Sequence, residues 1–325
     1  MVAIRPVKLD LRVESEREKC VDLKMRKAIL MLLMFTCALR AQNSGILNPD
    51  SLNRKRAAAV GITEGVLVTA TYAGLYHLWY KDYSTGKFHF FNDNREWMQM
   101  DKVGHGLSCY AIGRTATSMW KWSGLKRNKA IWIGGLTGVA YLTGVEIMDG
   151  YSDGWGFSSG DMIANISGSA LFIGQELLWK EQRIVPNFGF QRSGLAQYRP
   201  DLLGNGWQEE FLKDYNGQTY WMSVNVASFL KDDSRFPQWL NLAIGYGAHG
   251  MTGGTDNPTM FNSDGNEIQF DRYRQYYLSF DIDLTKLPVK NRFLKAVFET
   301  FHFIKIPAPG IRADKNGVRP LLFAF

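Results

Sequence analysis

A chain of 325 residues can bury a sizeable core in one or two domains. Its 14% aromatic content is high and its 21% charged content slightly low, a balance suited to packing beside a lipid or glycan surface. Of the net charge of +7, residues 1–41 carry +4 (nine Lys/Arg against five Asp/Glu), and no basic cluster interleaves with aromatics, which leaves nucleic acid without support as a partner.

Met25-Arg26-Lys27 is a basic n-region, and Ala28 to Leu39 is an apolar run broken by Thr36. Ala38-Leu39-Arg40-Ala41 supplies small residues before Gln42. This is the layout of a secretory signal peptide, too short to span a bilayer, with Met25 as the expected start. Cys37 lacks the small residue expected beside a lipidated cysteine. Cleavage near Ala41 would leave Cys109 alone, so stability must come from packing.

Residues 42–56 are polar and read as a linker. Four long apolar segments follow, at 57–80, about 98–121, 128–149 and 161–180, each expected to be a helix. Their lengths would allow membrane spans. The basic residues Arg54 to Arg56 and Lys121 to Lys129, against acidic 149–161, place residue 56 in the cytoplasm by positive-inside logic, whereas the signal peptide places it outside. The reading adopted is an exported, periplasmic helical bundle resting on a membrane, either the outer membrane or another. A polytopic inner-membrane protein is the alternative.

Beyond about 185, Pro186, Pro200, Gly204 and Gly206 punctuate irregular chain. Residues 275–284 alternate like a strand, and 290–306 read as an amphipathic helix. Trp221, Trp239, Phe293 and Phe301 are expected to bury. The terminal Phe325 raises a closed outer-membrane barrel, which Pro320 and the shortage of regular ten-residue strands oppose. The expected fold class is therefore mainly α: a bundle of about four apolar helices with a loop-rich α+β C-terminal part. The expected divisions are 1–41 (upstream segment plus signal peptide), 42–56 (linker), 57–183 (helical core) and 184–325 (C-terminal α+β region).

Helical spacing puts Asp101 with His105, and Asp161 with Asn165, on single faces. Glu146 and Asp149 end the third segment, and the Gly/Ser-rich turn 150–160 returns the chain toward Asp161. An up-and-down bundle would gather Asp101, His105, Glu146, Asp149, Asp161 and Asn165 at one end as one polar cluster. Three readings compete there. His105 is a general acid or base oriented by a carboxylate; the oxygen-rich set holds a divalent cation, the candidate cofactor; or a polar network ties three helices together. Several carboxylates so close need a protonated His105, Lys102 or Arg114, a shared proton or a cation. There is no G-x-S-x-G, P-loop, H-E-x-x-H or C-x-x-C pattern. A binding or scaffolding role in the envelope is therefore preferred. An envelope enzyme acting on a lipid-linked or glycan substrate through the cluster is the alternative. Membrane, or envelope lipid or glycan, is the expected partner.

Asp101-Lys102-x-x-His105, Glu146 with Asp149, and Gly156-Phe157-Ser158 followed by Asp161 resemble the YfiM-like family of predicted periplasmic or lipoprotein-like proteins. The order Asp-Lys-x-x-His, Glu, Ser-x-x-Asp is similar to VanZ-like membrane proteins, over about a quarter of the chain. Residues 220–223, 239–242 and 305–309 resemble longer members found in Bacteroidetes-type bacteria. The resemblance implies an envelope location and a helical core, and no established activity.

Overall fold

The computed structural model describes residues 51–325, apart from Asp82, Asp232 and 262–265. The expected signal peptide and most of the linker lie outside the described residues.

Helix α1 (Arg54–Leu75) starts at Asn53, whose side chain accepts the Arg56 N–H, and runs into a π-helical turn, Tyr76–Tyr80. Helices α2 (Met100–Trp122), α3 (Arg127–Gly150) and α4 (Ser159–Leu178) pack on one another. Small residues set how closely they approach. A side chain at Gly168 of α4 would run into the Gly106 carbonyl of α2, and one at Gly138 of α3 would meet the Cys109 carbonyl at 2.7 Å. Tyr110, Ile131, Phe172 and Ile173 fill the space between these helices, and Val185 closes it from the chain that follows.

That chain turns at Gln175. Its amide donates to the Ile184 carbonyl (2.8 Å) and accepts the Arg183 and Ile184 N–H groups, so the last turns of α4 fix the start of β1. Strands β1 (Ile184–Phe190), β2 (Gln218–Val224), β3 (Leu240–His249), β6 (Tyr273–Ile282), β7 (Ala308–Asp314) and β8 (Gly317–Ala324) form one antiparallel sheet in the order β1-β2-β3-β6-β7-β8. β4 (Met260–Phe261) and β5 (Glu267–Ile268) make a small separate ribbon. Short helices α5 (Pro200–Leu203) and α6 (Trp207–Lys213) fill the β1–β2 connection, and α7 (Arg292–Thr300) precedes β7. α2 lies against β1 and β2, where Met100 packs with Tyr220, Ala248 and Met251.

The six-stranded sheet overturns the mainly-α expectation: the protein is α+β. Gly245 and Gly247 in β3 thin the apolar alternation by which a half-buried strand is usually recognised, so 275–284 is the stretch of the sheet that reads as a strand in sequence. Phe293 is also corrected, because it stands 62% exposed on α7, whereas Trp221 is buried at 1%.

Candidate functional site

The chain enters α2 through three consecutive residues in left-handed conformation, Trp97, Met98 and Gln99 (φ 47, 51 and 65). The turn is held from outside. The Trp97 N–H donates to the Gly254 carbonyl (2.8 Å), the Met98 carbonyl accepts from Tyr246 Oη and Arg274 Nη1 (3.1 Å), and Arg274 Nη2 donates to Gln99 Oε1 (2.6 Å). With that entry fixed, the first turns of α2 carry Asp101, Lys102 and His105 toward α3 and α4.

His105 Nε2 lies 3.8 Å from Asp101 and Nδ1 lies 3.7 Å from Glu146. Nδ1 also sits 3.1 Å from Asn165 Oδ1, to which its N–H donates. The Lys102 ammonium bridges Asp93 (2.8 Å) and Asp161 (3.0 Å). Ser158, the N-cap of α4, organises the centre. Its N–H donates to Glu146 Oε2 (2.9 Å), its hydroxyl donates to Asp93 (2.6 Å), and that hydroxyl oxygen accepts the Asp161 N–H (3.1 Å). From the β1–β2 connection, Tyr215 Oη donates to Asp101 Oδ1 (2.5 Å).

The structure thus brings Asp101, His105, Glu146, Asp161 and Asn165 into one network. Asp149 stands at its edge, accepting a bond from Tyr80 (2.6 Å). Arg114, further along α2, interacts with Tyr110 instead, and its carbonyl accepts from Ser118. Sequence reasoning missed Asp93, Tyr80 and Tyr215. The polar Asn92-Asp93-Asn94 turn was a legible hint for Asp93. Tyr215 gave none, since 114 residues separate it from Asp101.

Burial decides the electrostatics. It pushes Glu146 up to about 8, although the Ser158 N–H and His105 pull the other way. It pushes Asp161 up to about 7, with Asp101 adding to the rise, and Asp149 up to about 6. Burial also raises Asp93, but hydrogen bonds with Asp161, Lys102 and Ser158 outweigh it and hold that carboxyl below its usual value. Burial lowers His105, and Asp101, Asp161 and Glu146 more than reverse this, so its pKa is raised. The cluster therefore balances its carboxylates with Lys102, with a His105 biased toward its protonated form, and with protons retained on buried carboxyls.

Ligand-capable atoms of Asp101, His105 and Asp161 all lie within 4.8 Å of one another, a set whose chemistry fits a divalent cation. Such an ion would compete with the Lys102 ammonium on Asp161. Access is confined to one side: the Asp101 and His105 side chains are 27% and 16% exposed, those of Glu146 and Asp161 only 2% and 4%.

Fold and site together define an α+β protein with a buried His–carboxylate network joining three helices to a sheet. Over residues 89–174, which contain nearly all of that network, the chain is similar to the family described as "Predicted periplasmic lipoprotein (DUF2279)". No curated protein and no solved structure matches it.

Proposed function

We propose that this is a membrane-associated cell-envelope protein with a binding or scaffolding role, whose His105 network acts as a clasp. The similarity to predicted periplasmic lipoproteins supports the location. One observation carries the role: the central polar groups are bonded to one another, from Lys102 with Asp93 and Asp161 to Ser158 with Glu146, and Tyr215 ties them to the sheet connection. A network closed in this way joins elements and leaves little free valence for a substrate. The YfiM-like and VanZ-like likenesses belong to this same proposal.

The second reading is an envelope enzyme acting on a lipid-linked or glycan substrate. It is favoured by carboxyls of Glu146 and Asp161 poised near neutrality beside the partly exposed His105. His105→Asn and Asp161→Asn, examined by denaturant unfolding and by metal analysis of the purified protein, separate these readings. A clasp loses roughly 1–3 kcal/mol per variant, and the wild type carries no stoichiometric ion. Unchanged stability in both variants would refute the clasp, and a bound divalent ion would move the site to the ligand reading.

A further inference from the structure

The sheet has its polarity reversed for a protein surrounded by water. Along β6, Gln275, Tyr277, Ser279 and Asp281 are buried, while Tyr276, Leu278 and Phe280 face the other way and stand 54%, 45% and 54% exposed. The register repeats this pattern from strand to strand. Met222, Ile244, Leu278, Ile311 and Pro320 oppose one another in a single outward row, and Val224, Leu242 and Phe280 form the next. Ile244 is 61% exposed.

Beneath these rows the inward face holds the Trp221, Ala243, Tyr277 and Ala324 cluster together with a bonded polar set. The Ser223 hydroxyl donates to Asp281 (2.6 Å), the Asn241 amide donates to Ser223 (3.0 Å), and the Lys305 ammonium lies 3.5 Å from Asp281, both fully enclosed. A sheet with one wet face puts its apolar side chains inward and its polar ones outward. The opposite arrangement is that of strands facing hydrocarbon.

Both ends of the outward band fit that setting. At one end Arg274 stacks over Tyr246, whose ring contacts Tyr276. Beyond the other end, Lys290, Arg292 and Lys295 stand exposed beside Phe293 and Leu294. Aromatic and cationic rims suit the headgroup layer, and the cations complement anionic phospholipid. From Tyr276 to Ile282 the band measures about 20 Å at about 3.4 Å per residue, short of a hydrocarbon core of about 30 Å.

We infer that the outward face of the sheet, from Met222 across to Pro320, is a lipid-binding surface that seats in one leaflet of a phospholipid membrane. The inference gives the membrane-associated reading a specific surface, and it is tested apart from the clasp, which is read by unfolding.

The full-length protein is mixed with phosphatidylethanolamine–phosphatidylglycerol vesicles that contain a phospholipid with a photoactivatable acyl chain. After irradiation, adducts are mapped by mass spectrometry. Adducts should fall on Leu242, Ile244, Leu278 and Phe280 and be absent from Ser223, Asn241 and Asp281. Ile244→Arg with Leu278→Arg should remove the adducts on both strands and weaken vesicle binding on the order of tenfold. Adduct mapping on the unaltered chain keeps the test decisive should that variant fold poorly. Adducts confined to the helices or to residues 1–50, no adducts, or protection of this face by a second copy would each overturn the inference.

Discussion

Glu146→Gln probes the electrostatics of the network most directly. Glu146 is 1% exposed, and its Oε2 accepts the Ser158 N–H at 2.9 Å, a bond that the glutamine carbonyl can keep. Burial raises the carboxyl from 4.5 to about 8. The folded state therefore holds the proton more tightly than the unfolded chain does. That stabilisation is fully present below 4.5 and is lost as pH rises through about 8. At about 1.4 kcal/mol per pH unit the gap sets a ceiling of about 5 kcal/mol, and charge sharing with Asp161 and His105 leaves roughly half of it. His105, raised above 6.5, acts in the same direction, so the wild type should lose stability steadily from pH 5 to 9. Urea unfolding at pH 5.5, 7 and 9 should show a loss smaller by roughly 1.5–2 kcal/mol in the variant than in the wild type. Equal losses in the two proteins would mean that Glu146 does not titrate in this window, and the argument from its burial would fail.

Three further outcomes are expected. Tyr215→Phe removes the hydroxyl that donates to Asp101 and should cost about 1.5–3 kcal/mol in denaturant unfolding, as for a hydrogen bond to a charged group. Gly168→Ala drives a methyl group into the Gly106 carbonyl and should cost about 1–3 kcal/mol, read as a lowered thermal midpoint, because backbone cannot move aside as a side chain can. Lys305→Met strands Asp281 under the sheet and should destabilise by about 3–5 kcal/mol; an unaffected unfolding curve would show that the pair is not enclosed in solution.

The helical half was legible because long apolar segments separated by short polar turns admit few arrangements, and helical spacing places Asp101 near His105 and Asp161 near Asn165. Part of the cluster was legible for the same reason. Glu146 reaches Ser158 across the turn 150–160, within the span of a local motif. Asp93 and Tyr215 were not, since each arrives from an element whose position depends on packing rather than on neighbours in sequence. The sheet was hidden by its own polarity. The alternation at 275–284 was visible, but Gln275, Ser279 and Asp281 lie on the enclosed side, where a strand in water would place valines and leucines. Gly245, whose added side chain would meet the Trp221 ring at 2.7 Å, further thins the pattern in β3.

The left-handed turn at Trp97–Gln99 bears on how far this protein can be divided. Three successive non-glycine residues in that conformation are costly, and they persist only where surrounding structure holds them. Here the holding groups are Tyr246 of β3, Arg274 of β6 and the Gly254 carbonyl, none of them within 89–174. The recurring segment is thus not a free-standing module. A chain cut after residue 183 would keep the residues that make the clasp and lose the restraint that aims the first turn of α2 at it.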